Sequence, residues 1–152
     1  MIKDLSVILG NQLCEPSLIP EVTKHPIFMC ESDDLCTHFN YHQLKLIFFL
    51  TAMREFNDEL TNFGCKTYYH HLPESNKQTY IKILEQFCKD NHVECIHMIE
   101  IEDSFFDKKI DELCNNLGIK KVSYQSPLFL TPKQVFKDYL ASSKRPFMKT
   151  FY

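Results

Sequence analysis

The length, composition and charge of the chain set the first limits on its structure and function. Its 152 residues suffice for one domain with its own core, and a hydrophobic fraction of 44% excludes a disordered chain. Lys and Arg number 17 against 20 Asp and Glu, so the net charge does not attract a phosphate backbone. We therefore expect any contact with DNA to be made only through another part of a longer protein.

Cysteine usage and hydropathy indicate the compartment. The seven cysteines are an odd number, lie scattered along the chain and form no Cys-x-x-Cys pair, which favours free thiols in a reducing environment. No apolar run reaches the length of a secretion signal or a membrane span. We therefore expect a cytoplasmic protein with no membrane partner.

The predicted elements of the first 40 residues are two buried strands. Residues 5–9 and residues 27–31 are continuous apolar runs, and the second run ends in the charged Glu31. Residues 14–24 contain two prolines and predict a loop with at most a short helix, and residues 32–39 predict a second loop. Each strand is therefore expected to end in a polar loop.

A long amphipathic helix is predicted over residues 41–64. Asn40 is placed to cap its first turn together with Gln43, and Gly64 is expected to end it in a left-handed conformation. Apolar side chains at three- and four-residue spacing predict one buried stripe with a charged face opposite. The stripe comprises Leu44, Ile47, Phe48, Thr51, Ala52, Phe56 and Leu60, and the charged face comprises Arg54, Glu55, Asp58 and Glu59.

Strands and helices alternate in the second half of the chain. The capping pair Ser75 and Gln78 predicts a helix over residues 76–90, and Gly118 predicts the end of a helix at Ser104–Leu117. Further predicted strands are residues 66–70, 93–101 and 120–124. Thr131 as N-cap, with Pro132 and Gln134 after it, predicts a last helix to about residue 141.

This alternation predicts an α/β fold with a three-layer, doubly wound, five-stranded parallel sheet, because parallel strands need crossover connections. Ligands of such sheets bind beyond the carboxyl ends of the strands, at a switch point in strand order. Polar residues follow three strands, at 10–13, 31–34 and 100–103, and the long helix adds His42 and Lys45 in its first turn. We therefore predict a binding site at this edge of the sheet.

The candidate residues also have purely structural interpretations. The turn at residues 10–12 can form a cradle of backbone and amide groups for a ligand, or only a tight turn after the strand. Glu31 can accept hydrogen bonds from a ligand, or it can pair with His42 or Lys45. Those two residues can equally cap the helix and face solvent.

The patterns do not favour metal binding or hydrolysis. Cys30, Cys36, His38 and His42 are ligand types that Zn²⁺ prefers, but their spacing matches no compact zinc pattern. No Gly-x-Ser-x-Gly elbow or comparable nucleophile motif is present. The sequence therefore predicts neither a metal site nor a catalytic residue in this chain.

Several short motifs occur together in the order of a known family. Residues 8–13 read Ile-Leu-Gly-Asn-Gln-Leu, residues 52–56 read Ala-Met-Arg-Glu-Phe, and residues 148–152 read Met-Lys-Thr-Phe-Tyr. In these motifs the chain resembles the cryptochrome/photolyase-related family, the bacterial iron–sulfur photolyases and cryptochromes. Further matches are Cys30 with Glu31, Tyr41 with His42 and Lys45, and Phe129 with Leu130 and Thr131.

The resemblance implies a photolyase-type, Rossmann-like amino-terminal domain with strand order 3-2-1-4-5 over residues 1–141, followed by the start of a linker at residues 142–152. In the family this domain binds an antenna chromophore, a ribityl-lumazine in characterised members. FAD and a cysteine-ligated iron–sulfur cluster lie in a separate helical domain, which also receives the DNA lesion. The antenna contacts that the resemblance suggests are Gly10, Asn11, Gln12, Leu13, Glu31, Ser32, Asp34, His42 and Lys45.

The implied role is to serve light-dependent DNA repair or blue-light sensing, with the chain's own carboxyl-terminal flavin domain as partner. The segment contains no Trp for an electron-transfer chain and is not expected to act as a lyase by itself. It departs from the family at Asn11, where the family has Asp, and in the loop at residues 33–35. Two other functions stay open: an interdomain structural module without chromophore, and a small flavodoxin-like nucleotide-binding protein.

Overall fold

The strands form one parallel sheet, which confirms the predicted fold class. The computed structural model describes residues 1–72 and 78–151. Its strands are β1 (Asp4–Val7), β2 (Ile27–Cys30), β3 (Thr67–His70), β4 (Cys95–Ile99) and β5 (Lys120–Tyr124). They lie in the order β3-β2-β1-β4-β5, and every neighbouring pair is parallel. This is the predicted order 3-2-1-4-5.

Helices connect the strands and cover both faces of the sheet. A 3₁₀ turn, Pro16–Leu18, and a one-turn helix lie between the first two strands, where a loop with at most a short helix was expected. The helices are α1 (Pro20–Thr23), α2 (Asp33–Thr37), α3 (Gln43–Asn62), α4 (Tyr80–Asn91), α5 (Ser104–Leu117), α6 (Lys133–Ser142) and α7 (Met148–Phe151).

Each face of the sheet has its own apolar core. Strand β2, which lies between β3 and β1, is buried along its whole length, and its side chains alternate between the two faces. Phe28 packs in a cluster with side chains of α4 and α5, whereas Ile27 and Met29 pack in a second cluster with Phe56 and Leu60 of α3. The three-layer arrangement therefore follows from a strand that is apolar at every position.

Helix α3 confirms the predicted long helix and corrects its start. His42 is its N-cap, and the His42 Nδ1 atom accepts a hydrogen bond of 3.2 Å from the Leu44 backbone N–H. The expected cap at Asn40 is therefore wrong, and the imidazole takes its place. At the other end Gly64 has φ +96°, so the left-handed conformation predicted there is confirmed.

The buried stripe of α3 differs from the predicted stripe in its amino half. Leu44, Ile47 and Phe48 are exposed to solvent by 68%, 53% and 76%. The amino half is apolar around most of its circumference, so three- and four-residue spacing fits more than one phase. The side chains that face the sheet or the cavity beside it are Leu46, Phe49, Leu50, Met53, Phe56 and Leu60.

A segment predicted as a loop and a segment predicted as the start of a linker each contain a short helix. Asp33–Thr37 forms α2 within the predicted loop, and Met148–Phe151 forms α7 near the carboxyl end. The Tyr139 hydroxyl orders α7, because it accepts a 2.8 Å hydrogen bond from the Phe147 N–H and lies 2.7 Å from Thr150 Oγ1. The expectation of an irregular loop at residues 32–39 is therefore wrong, and the predicted start of the linker contains one helical turn.

The other predicted helix boundaries have mixed outcomes. Gly118 ends α5 with φ +66°, as predicted. Helix α6 begins at Lys133 without a side-chain cap, so the expected capping role of Thr131 is wrong. Thr79 caps α4, and the predicted capping residue Ser75 lies outside the described residues. In the part of the chain that the structure describes, no helix is both long and apolar enough to cross a membrane.

Candidate functional site

A cavity of about 550 Å³ lies at the carboxyl edge of the sheet. Its floor is the loops that follow β1, β2 and β4, and its wall is the amino half of α3. The chain leaves β1 toward β2 on one side and returns to β4 on the other, so the cavity lies at the switch point in strand order. This is where parallel sheets of this type bind ligands.

Aromatic and aliphatic side chains make most of the cavity surface. The volume falls within the roughly 300–1,000 Å³ typical of sites for small organic ligands. The lining contains few charged groups, and Lys45 lies with its Nζ atom 4.6 Å from the centre of the Tyr41 ring. The surface therefore suits a flat apolar ring system with a few polar atoms. Its aromatic members are Phe39, Tyr41, Phe49, Tyr80, Phe105 and Phe106.

Two hydroxyl groups in this lining are buried without a hydrogen-bond partner. Ser32 and Tyr80 are each only 1% exposed, and neither Ser32 Oγ nor the Tyr80 hydroxyl has a partner in the described structure. Burial raises the pKa of Tyr80 well above its ordinary value, so its O–H stays protonated and available as a donor. A buried polar group without a partner costs free energy, so both hydroxyls would gain a hydrogen bond from a ligand or water that reached them.

Glu31 borders the cavity, but its carboxylate is already saturated with hydrogen bonds. The side chain of Arg54 donates to both oxygens at 2.7 and 2.8 Å, the Tyr69 hydroxyl donates at 2.6 Å and the Leu72 N–H donates at 2.9 Å. Burial would raise the pKa of Glu31, but the hydrogen bonds from Arg54, Tyr69 and Leu72 outweigh it and hold the pKa below the ordinary range. Glu31 is therefore an ionised structural anchor beside the cavity.

Sequence reasoning missed Arg54 and Tyr69 as partners of Glu31. It placed Arg54 on the solvent face of α3 and offered His42 or Lys45 as the partner, and the structure shows that this pairing is wrong. The only signal in the sequence was that residues 27–31 and 66–70 are both predicted strands; the structure supplies their register, with β3 beside β2 and Cys30 opposite His70. The Tyr69 side chain therefore lies close to Glu31, the residue that follows Cys30.

The turn after β1 divides between the cavity and the core. Gly10 and Asn11 line the cavity, whereas Gln12 is buried and bonds to backbone. Its amide nitrogen donates to the Glu100 carbonyl at 3.1 Å, and its Oε1 atom accepts from the Leu9 N–H at 3.3 Å. Gln12 therefore holds the loops after β1 and β4 together and has no amide group pointing at a ligand.

Of the remaining predicted site residues, some line the cavity and others lie outside it. Ser32 and Lys45 line the cavity, whereas Leu13 packs in the core cluster on the α3 side of the sheet. Asp34 accepts a 3.0 Å hydrogen bond from the Tyr80 N–H and so binds the first turn of α4, the helix that Thr79 caps. His42 caps α3 and is exposed. The structure thus brings together at the cavity Gly10, Asn11, Glu31, Ser32 and Lys45, and leaves outside it Gln12, Leu13, Asp34 and His42.

Cys30 and Cys36 lie in the cavity lining as well. Burial raises the pKa of the Cys30 thiol to about 12, and burial raises that of Cys36 too, with neighbouring carboxylates adding to both shifts. Both thiols are therefore protonated at neutral pH and contribute to the lining as small apolar groups.

The fold and this cavity define the class of protein: a doubly wound α/β domain with a ligand-sized, mostly apolar site at its switch point. The chain belongs to the deoxyribodipyrimidine photo-lyase-related protein family, whose model matches residues 6–152. It is also similar to an uncharacterized protein of Acanthamoeba polyphaga mimivirus, with 26% identity over 161 residues. That alignment spans 99% of this chain and 80% of the viral protein.

Proposed function

We propose that this chain is the antenna-binding domain of a photolyase-related protein and holds a ribityl-lumazine-type chromophore in the switch-point cavity. The observation that carries the proposal is the pair of buried, unpartnered hydroxyls, Ser32 Oγ and the Tyr80 hydroxyl, inside an aromatic cavity of about 550 Å³. The two hydroxyls supply the hydrogen bonds that orient a heteroaromatic ligand, and the aromatic side chains supply its contact area.

The rest of the lining is consistent with such a ligand. A lumazine ring is flat and carries polar atoms at its edge, and its ribityl chain carries several hydroxyls. Asn11 offers an amide and Lys45 an ammonium group at the same cavity. A nucleotide ligand is less well matched, because the phosphates would need several backbone N–H groups or cations, and the described lining holds one lysine, Lys45, and no arginine.

In this proposal the domain binds and orients the chromophore, and performs no bond-breaking step itself. The chromophore would pass excitation energy to FAD in a separate helical domain, which would also hold the iron–sulfur cluster and the DNA lesion. Family membership supports this division of labour, and so does the absence of any Trp from the chain. The full-length protein would then act in light-dependent DNA repair or in blue-light sensing.

A fluorescence titration of the purified chain with a ribityl-lumazine tests the proposal. We expect saturable quenching or a spectral shift at micromolar ligand, and a roughly 10-fold weaker dissociation constant for Ser32→Ala, which loses one buried hydrogen bond. Ser123→Ala, on the exposed side of β5, is the matched control and should bind as the wild type does. No saturable change in a folded sample would refute chromophore binding.

A second function, an interdomain module without chromophore, is supported by the exposed apolar residues of α3. Leu44, Ile47 and Phe48 form an uncovered surface beside the cavity, and the side chains of Phe49 and Met53 already occupy the space over Gly10. This function predicts that the chain binds a separately expressed helical flavin domain of the family without any lumazine. Calorimetry with the wild type and Phe48→Asp would show that binding and its loss.

A further inference from the structure

A second group of chemically active side chains lies at the opposite, amino-terminal edge of the sheet. Asp4 begins β1, Cys95 begins β4, and the parallel register places these two residues side by side. His97 follows Cys95 by two positions and so points to the same face of the sheet. One ligand atom from each of the three side chains lies within 4.8 Å of the other two.

The imidazole of His97 is held in place at both ring nitrogens. Its Nε2 atom lies 2.9 Å from Asp4 Oδ1, and its Nδ1 atom lies 2.8 Å from the Tyr124 hydroxyl. The ring of His25 stacks on that of His97 with 4.2 Å between centroids, and the His25 Nε2 atom is buried without a partner. The His97 imidazole is therefore held in one orientation, and the imidazole of the neighbouring His25 has a buried nitrogen without a hydrogen bond.

We propose that Asp4, Cys95 and His97 bind a Zn²⁺ ion at the amino edge of the sheet. The donor set of one carboxylate, one thiolate and one imidazole matches the ligands that Zn²⁺ takes in proteins. Tyr124 supplies the outer hydrogen bond that metal-binding histidines usually make through their second nitrogen. The site is independent of the cavity at the carboxyl edge and of any chromophore bound there.

Access and coordination number fit this assignment. The Asp4 side chain is 47% exposed and His97 only 11%, so an ion can enter from solvent and still be held against the sheet. Three protein ligands leave the fourth position of a tetrahedral zinc ion to water. A bound ion would tie β1 to β4 at the start of both strands.

Binding would exchange one proton for the ion. The Cys95 S–H bond breaks as the Zn–S bond forms, and the proton goes to solvent. His97 would carry its proton on Nδ1, donating to the Tyr124 oxygen, and would offer the Nε2 lone pair to the metal. Without an ion, the same distances fit an Nε2–H donating to Asp4 and a tyrosine O–H donating to Nδ1. The geometry thus admits both a metal-bound and a metal-free tautomer.

Titration of the full chain with Co²⁺ as a spectroscopic substitute for Zn²⁺ tests the proposal. We expect one equivalent of Co²⁺ to produce a thiolate charge-transfer band and intense visible bands of tetrahedral cobalt, and Zn²⁺ to remove both. Cys95→Ser should abolish the charge-transfer band. Cys14→Ser, a half-buried cysteine near the other end of β1, is the matched control and should keep it.

Thermal unfolding provides an independent readout. Excess Zn²⁺ should raise the Tm of the wild type by about 5 °C or more, and Mg²⁺ should not, because binding to the folded state alone stabilises it. Asp4→Asn and Cys95→Ser should lose this rise, and Tyr124→Phe should weaken Co²⁺ binding about 10- to 100-fold. An absent band, or a band and Tm rise that survive in Cys95→Ser, would overturn the site.

Discussion

Arg54 on α3 reaches across to Glu31 at the end of β2 and donates two hydrogen bonds to its carboxylate, at 2.7 and 2.8 Å. The glutamate side chain is fully buried, whereas that of the arginine is 50% exposed. Because α3 forms the cavity wall and the loop after β2 forms part of the cavity floor, this ion pair links the wall to the floor. The geometry is bidentate, the arrangement in which Arg binds a carboxylate most specifically.

Replacing Glu31 should therefore destabilise the fold. Glu31→Gln removes the charge that Arg54 and Tyr69 bond, and we expect a loss of about 2–4 kcal/mol in the free energy of unfolding. Glu55→Gln, on the exposed face of the same helix, should change it by less than about 0.5 kcal/mol. Urea unfolding monitored by circular dichroism measures both. Equal, small effects would contradict the anchoring role.

The Glu31 carboxylate should also make the free energy of unfolding depend on pH. The hydrogen bonds hold the folded-state pKa of Glu31 below its ordinary value of 4.5, so its contribution is complete above about pH 4.5 and is lost as the pH falls through the folded-state value. The difference in stability between the wild type and Glu31→Gln should thus be constant near neutrality and shrink below pH 4.5. Unfolding curves at pH 7, 5, 4 and 3 test this. A difference that stays constant down to pH 3 would contradict it.

Replacement of Gly10 or Gly64 by alanine should destabilise the fold, for a different reason at each position. A Cβ at Gly10 would lie 2.7 Å from both Met53 Sδ and Phe49 Cε1, so Gly10→Ala should cost about 1–3 kcal/mol through overpacking. Phe49→Leu should restore part of that loss in the double variant. Gly64→Ala meets no neighbouring atom but places alanine at φ +96°, so the same second change should not rescue it. Denaturant unfolding of the four variants provides the comparison.

The unpartnered hydroxyl of Tyr80 predicts opposite effects on stability and on binding. Tyr80→Phe should raise the free energy of unfolding of the ligand-free protein by about 0.5–1.5 kcal/mol and weaken lumazine binding about 10-fold. Tyr69→Phe removes a hydroxyl that is bonded to Glu31, and should instead lower stability by about 1–2 kcal/mol. Unfolding and fluorescence titration on both variants decide the matter. A Tyr80→Phe protein destabilised like Tyr69→Phe would show that the hydroxyl is already satisfied.

The phase of the α3 stripe can be tested with two phenylalanines. Phe48 is 76% exposed, so Phe48→Ala should change the free energy of unfolding by less than about 0.5 kcal/mol. Phe56 is 5% exposed and packs in the core, so Phe56→Ala should cost about 3–5 kcal/mol. Thermal or urea unfolding separates these outcomes. A large loss of unfolding free energy for Phe48→Ala would show instead that the buried stripe predicted from spacing is correct.

The sequence by itself determined the class of fold, the number of strands and the edge at which a cavity would lie. These follow from local information, because continuous apolar runs become buried strands, and helices between them force parallel pairing. Left-handed glycines at Gly64 and Gly118 were readable for the same reason, since a helix stop depends on its own few residues. The strand order came from resemblance to a family, not from these local patterns.

Only the tertiary structure decided which side chains meet. It showed that the Glu31 carboxylate accepts its hydrogen bonds from Arg54 and Tyr69, and not from His42 or Lys45. It also showed that the Gln12 side chain joins two loops and does not face the cavity. It also selected one phase for α3, whose amino half is apolar on several sides. Each of these outcomes depends on contacts between residues far apart in the chain, and spacing along a sequence carries no information about such distances.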